Sequence, residues 1–236
     1  MPYSLALRAY RFVRGDGSLT ITVALIALFL FALYPMAEVG VVRTWWLDVA
    51  FAICLVAGAM LVSEPRQVRN VVLALVATTV VLRLAESYDR SLAIVTLDAA
   101  FVIATAFALG VLVLARSTRD GRINIHRILG ACGTFLLLGL VFSQGYRLLA
   151  LYIPDAFAIE GRRVGTADLQ HAFTYYSFVT LTSTGYGDIV PVHPYARSLA
   201  MFEAVTGQLY LAVLIARLVG LEMEWRETQR EAQAGE

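Results

Sequence analysis

One short stretch of this chain carries residue types that could bind an ion through the backbone. Residues 180–188 read Thr-Leu-Thr-Ser-Thr-Gly-Tyr-Gly-Asp, so hydroxyl side chains precede two glycines around a tyrosine. Gly185 and Gly187 can adopt the φ > 0 conformations that aim neighbouring carbonyl oxygens in one direction. Carbonyl oxygens about 3.3 Å apart along extended chain suit the replacement of water around a partly dehydrated monovalent cation.

The composition places this stretch in a membrane protein. Of the 236 residues, 59% are hydrophobic and 16% charged, which leaves too few polar residues to cover a soluble domain. A formal net charge of +1 indicates no nucleic-acid surface. We find no nucleophile with a base partner, metal-ligand spacing or phosphate loop in the sequence, so we predict no enzyme activity and no organic cofactor.

Six apolar segments predict membrane-spanning helices, since each is near the roughly 20 residues needed to cross a bilayer. They cover about 19–36, 44–62, 68–86, 92–115, 127–151 and 195–219. A helix-compatible run over 169–182 precedes the ion-binding stretch, and non-helical backbone at membrane depth is tolerated only inside protein or beside water. We therefore predict an all-α integral membrane protein with a re-entrant pore helix and a selectivity filter between the fifth and sixth spans.

The arginines predict the orientation of these spans. With the filter facing outward, most of them fall on the inner side, as the positive-inside rule requires. The inner set is Arg8, Arg11, Arg14, Arg66, Arg69, Arg116, Arg119, Arg122, Arg127, Arg217, Arg226 and Arg230. We expect a multi-pass protein of the plasma membrane with both termini cytoplasmic, in contact with membrane lipids. A cleaved signal peptide at the basic start is disfavoured, because residues 34–37 form a poor cleavage site.

The stretch over 180–188 resembles the filter signature of tetrameric potassium channels, Thr-Val-Gly-Tyr-Gly-Asp. The resemblance covers the pore module, about residues 125–220, and implies a homotetramer with K⁺ ions in the filter. The positions that would hold K⁺ are Ser183, Thr184, Gly185 and Tyr186, with Gly187 completing the filter. Ser183 replaces the usual innermost threonine and Thr184 the usual valine, so the degree of K⁺/Na⁺ discrimination stays open.

The same resemblance implies roles for residues around the filter. Asp188 would form an acidic ring at the outer mouth, and the expected filter supports are Tyr175, Tyr176, Thr180, Thr182 and Glu203. Gly207 lies 20 residues after Gly187, where the family's inner helix often carries a hinge glycine. Two roles remain open for Gly207, a gating hinge and a site of tight packing against the pore helix.

Six spans with a re-entrant loop between the last two also resemble the voltage-gated channel superfamily. This implies a cytoplasmic N-terminus over 1–18, a four-helix peripheral domain over 19–116, a pore domain over 117–220 and a short cytoplasmic tail over 221–236. A voltage sensor needs several arginines inside its fourth helix, and residues 92–115 contain none. We interpret Arg116, Arg119 and Arg122 as positive-inside anchors and expect weak voltage dependence.

Three charges lie well inside the first four predicted spans, namely Asp48, Arg83 and Asp98. Intramembrane charges are rare unless they are paired or functional, so these residues indicate either a salt-bridge cluster between the four helices or a sensing or ligand site.

The pore half of the sequence suggests how its loop is supported. Ser143, Gln144 and Arg147 could brace the pore loop, and Thr166 or Asp168 could cap the pore helix. The connection over 152–167, with its proline and two glycines, predicts an exposed turret.

These patterns favour a potassium-selective channel that conducts K⁺ passively and depends weakly on voltage. Two alternatives remain open. One is a non-selective monovalent cation channel, and the other is a membrane sensor or scaffold with a silent pore.

Overall fold

The computed structural model describes residues 17–33, 35–36, 39, 41, 44–62, 66–118, 124–159, 162–163 and 172–234. Helix α1 covers Gly17–Leu28 and continues as a π-helical turn over Phe29–Leu33. It is followed by α2 (Thr44–Val62), α3 (Arg66–Tyr88), α4 (Leu92–Ser117) and α5 (Ile125–Tyr152). Two short strands then precede α6 (Ala172–Leu181), and a third strand lies between α6 and α7 (Pro194–Ala234). The chain is therefore mostly helical, as its apolar segments predict.

Four of these helices are long and apolar enough to cross a membrane, namely α3, α4, α5 and α7 over Pro194–Glu227. The apolar stretches Gly17–Leu33 and Val49–Met60 are shorter. Local signals set several helix ends. The Asn124 side chain accepts a 3.0 Å hydrogen bond from the Arg127 amide and caps α5, while Pro194 begins α7 at a position where its missing N–H costs nothing.

Helix α5 joins two hydrophobic cores. The first core is built from α1 to α4 and receives Leu137 and Leu140 of α5. The second core surrounds α6 and receives Phe142 and Tyr146, which lie further along the same helix. Because α5 packs against α1 and α4 as well as against α6 and α7, it physically connects the four-helix half to the half predicted to form the pore, called the pore half below.

A small sheet flanks α6. Strand β1 (Phe157–Ile159) pairs antiparallel with β2 (Arg162–Arg163) and with β3 (Ile189–Pro191), which directly follows the filter. The predicted exposed turret is wrong for the part of the connection that forms β1, because Ala156, Phe157 and Ala158 are buried. The reason is the Phe157 ring, which packs edge-on against Tyr146, Phe173 and Tyr176.

Some predictions lie outside the described residues. These are the amphipathic N-terminus with Arg8, Arg11 and Arg14, the anchors Arg119 and Arg122, and the helix caps Thr166 and Asp168. The backbone of Asp48 belongs to α2, but its side chain is also outside the description.

Candidate functional site

The segment from Ser183 to Gly187, predicted as the filter and called the filter segment below, leaves the end of α6 as an exposed stretch of chain. Its backbone alternates, because φ is +56° at Ser183, +61° at Gly185 and +80° at Gly187, while Thr184 and Tyr186 stay outside the positive region. Residues that alternate between left-handed and right-handed conformations turn their N–H groups to one side and their carbonyl oxygens to the other. The described backbone therefore has the alternation that a row of aligned carbonyls requires.

Hydrogen bonds to the last turn of α6 fix where this segment begins. The amides of Thr184 and Gly185 both point to the Val179 carbonyl, at 2.9 and 3.3 Å, and the Ser183 amide donates to the Thr180 carbonyl at 2.9 Å. The hydroxyls of Thr182 and Thr184 lie 2.8 Å apart. Thr180 and Thr182, predicted as filter supports, thus contact the segment through a carbonyl and a hydroxyl.

The two tyrosines of α6 lie on different sides of the helix. Tyr175 is exposed in the single chain, and its ring lies parallel to that of Tyr186 with centroids 6.5 Å apart. Tyr176 is buried behind α6, with its ring 4.8 Å from Tyr146. Of these two tyrosines, Tyr175 therefore lies beside the filter segment, whereas Tyr176 packs in the core.

Glu203 of α7 is fully buried behind α6. The Tyr146 hydroxyl of α5 donates to one of its carboxylate oxygens, and Ser177 of α6 contacts the other. Ser177 also lies 2.8 Å from the Gly139 carbonyl of α5. Glu203, Tyr146 and Ser177, called the Glu203 cluster below, tie together the three helices that surround the filter segment.

Gly207 lies one turn after Glu203, at the closest approach of α7 to α6. A Cβ added at Gly207 would lie 2.1 Å from the Leu181 carbonyl oxygen. Helix α7 continues without interruption from Pro194 to Ala234. Of the two roles left open for Gly207, the described geometry favours tight packing.

Two of the predicted intramembrane charges, Arg83 and Asp98, belong to a larger group, called the Asp98 cluster below. Asp98 of α4 is fully buried and accepts from Arg83 of α3 at 3.2 Å and from Arg147 of α5 at 3.0 Å. Arg147 also pairs with Glu86 of α3. The prediction that Arg147 braces the pore loop is wrong, because both of its carboxylate partners lie in the four-helix half. Ser143 of α5 does approach α6, because its hydroxyl lies 3.5 Å from the Thr174 hydroxyl.

Comparison with known proteins adds an independent finding. Residues 155–223 match a family model described as "Ion channel". No curated protein and no solved structure matches the chain. The match supports an ion channel family. It begins beside β1 and ends within α7, so it contains the filter segment, Glu203 and Gly207, and together with the apolar helices it indicates a membrane protein.

The sequence reasoning missed four residues that the structure brings to these sites. Tyr146, Ser177, Glu86 and Gln208 are each held by contacts between helices distant in sequence. Tyr146 and Glu86 were detectable in principle, since a buried carboxylate in an apolar helix needs donors on its neighbours. Nothing in the spacing of Ser177 or Gln208 indicates a partner.

Proposed function

We propose that this protein is a homotetrameric, potassium-selective channel of the plasma membrane, with six spans and both termini cytoplasmic. The observation that carries the proposal is the alternation of positive φ at positions 183, 185 and 187. Four such segments around one axis would present rings of carbonyl oxygens that replace the hydration shell of K⁺. Ser183, Thr184, Gly185 and Tyr186 would hold the ions, and Asp188 would concentrate cations at the outer mouth.

Exposure in the single chain supports the tetramer. Large apolar side chains of α7 such as Met201, Phe202, Val205 and Leu209 are more than half exposed, and all residues of the filter segment are exposed in the single chain. Non-helical backbone with this exposure would not survive at membrane depth. Three further copies around the axis would cover it on the sides and leave a water-filled path in the centre.

Flux into liposomes tests this function. Purified protein should carry K⁺ into vesicles, and Gly185→Ala or Gly187→Ala should abolish selective flux. Within the single chain neither substitution meets an obstacle within 4 Å, so the expected cause of the effect is the penalty that a Cβ imposes at positive φ. Gly220→Ala is the matched control, because Gly220 also has open space around it but no positive φ.

Each outcome separates one reading from the others. Flux of K⁺ and Na⁺ at equal rates would indicate a non-selective monovalent cation channel. Absence of any flux from wild-type protein would indicate a sensor or scaffold with a silent pore. Wild-type flux that survives unchanged in both glycine variants would contradict the filter assignment.

A further inference from the structure

Ser183 has a backbone conformation that serine seldom adopts. Its φ of +56° lies in the left-handed region, where a non-glycine residue is strained and persists only if its surroundings hold it. Serine also lacks the second Cβ substituent that would restrain χ1. The hydroxyl at the inner end of the filter segment therefore needs an external restraint to keep one orientation.

Gln208 supplies a contact of this kind. Its Nε2 lies 3.1 Å from the Ser183 hydroxyl oxygen and can donate to it, across 25 positions in sequence. Gly207 makes the contact possible, because the lack of a Cβ lets α7 approach the Leu181 carbonyl at the end of α6. The next residue along α7 then reaches the start of the filter segment.

We infer that Gln208 is a specificity-determining residue that positions the Ser183 hydroxyl for the innermost cation site; the inference rests on the proposed channel function. A serine oxygen has two lone pairs and one proton. Donation from the Gln208 amide occupies one lone pair and fixes the direction of the other, which then faces the ion path. In this chain the amide performs the restraint that a β-branched threonine would supply through its own side chain.

Block by Ba²⁺, a divalent ion of K⁺ size, measures the innermost site. Gln208→Leu should raise the half-blocking Ba²⁺ concentration about 2- to 12-fold, the range expected for one neutral hydrogen bond. Gln67→Leu makes the same chemical change at an exposed position of α3 and should leave block unchanged. Gln208→Asn, which is too short to reach Ser183, should behave like Gln208→Leu and serves if the leucine variant does not assemble.

A double-mutant cycle separates this role from a general packing role. Ser183→Ala should weaken Ba²⁺ block by itself, and adding Gln208→Leu should then have little further effect, because residues that act through one contact are not additive. Full additivity, or Ba²⁺ block unchanged in Gln208→Leu, would overturn the inference.

Thermal unfolding of the purified protein measures ion binding at the same site without a measurement of current. Ba²⁺ and K⁺ should stabilise wild type more than Na⁺ does, and Gln208→Leu should require more Ba²⁺ for the same stabilisation. If wild type conducts K⁺ but Gln208→Leu changes neither Ba²⁺ block nor stabilisation by Ba²⁺, the inference about Gln208 is wrong and the proposed channel function still stands. A wild type that neither conducts nor is stabilised by K⁺ or Ba²⁺ overturns the proposed function as well.

Discussion

Asp98 of α4 and Glu203 of α7 are both fully buried carboxylates, yet their neighbours differ in kind. Asp98 contacts the guanidinium groups of Arg83 and Arg147, so it belongs to an ionic network. Glu203 contacts the hydroxyls of Tyr146 and Ser177. A buried charge is costly unless it is paired, which makes the charge of Asp98 essential to its cluster. For the stability of the Glu203 cluster, the positions of the hydrogen-bonding oxygens of Glu203 matter more than its charge.

The difference also divides the tasks of α5. Through Arg147 this helix is tied to α3 and α4, and one position earlier in sequence Tyr146 ties it to α7. The Asp98 cluster therefore links the four-helix half to the pore half. The Glu203 cluster links the helices around the filter segment to one another.

Neutralising Asp98 should have the largest effect on stability. Asp98→Asn keeps the shape but leaves Arg147 and Arg83 without the charge they share, and breaking a buried ion pair costs about 3–5 kcal/mol. Unfolding in mixed detergent micelles, titrated with a denaturing detergent, would measure the loss. Asp89→Asn, at an exposed position beyond α3, is the control. A loss below about 1 kcal/mol in Asp98→Asn would show that the ionic pairing is not what holds α4 to α5.

Gly207→Ala should have the next largest effect. The new methyl group would press α7 away from the Leu181 carbonyl, one turn from Glu203, and overpacking of this kind costs about 1–3 kcal/mol. Flux and tetramer stability should both fall, whereas Gly220→Ala should match wild type. If instead Gly207→Ala assembles normally and only slows opening, the hinge role of Gly207 is correct and the packing role is wrong.

Glu203→Gln should be the mildest of these changes. The amide keeps a carbonyl oxygen for the Tyr146 hydroxyl and offers N–H groups toward the Ser177 oxygen, so we expect a loss below about 1 kcal/mol. Glu203→Leu removes the acceptor of the Tyr146 hydroxyl, while Ser177 keeps the Gly139 carbonyl, and it should cost more, about 1–3 kcal/mol for the unsatisfied hydroxyl. Losses in Glu203→Gln as large as those in Asp98→Asn would remove the distinction between the two clusters.

Voltage should have a small effect on opening. Within α4 Arg116 is the only arginine, and Arg83 of α3 is paired with Asp98. Movement of Arg83 halfway across the field in four subunits would transfer about two charges, or roughly 5 kcal/mol per 100 mV. Conductance–voltage curves would give the gating charge. A fitted gating charge near the roughly 12–16 charges of a full sensor would contradict this expectation. It would show that Arg116, Arg119 and Arg122 are sensor residues rather than anchors.

Hydrophobic length and glycine chemistry were enough to predict much of this architecture. The predicted spans 92–115 and 127–151 lie within two residues of the ends of α4 and α5, because an apolar run has to end where polar residues begin. Positive φ was expected at Gly185 and Gly187 and is found there. These features depend on local sequence alone.

Features that depend on distant partners were not predictable in the same way. A strand of three residues such as β1 is too short to show a detectable alternation of apolar and polar residues, so the sequence placed Phe157 in a loop. Arg147 was assigned to the pore loop because the face of α5 that meets α4 is not encoded in its spacing. Positive φ at Ser183 runs against the preference of serine and follows from contacts with α6 and α7.

A reversal potential measured with K⁺ on one side of a bilayer and Na⁺ on the other tests the central claim most directly. Purified wild-type protein should give a current that reverses far toward the K⁺ equilibrium potential, by about 59 mV for each tenfold of K⁺ over Na⁺ permeability. The shift should disappear in Gly185→Ala. A wild-type current that reverses near 0 mV would contradict a potassium-selective filter at Ser183 to Gly187.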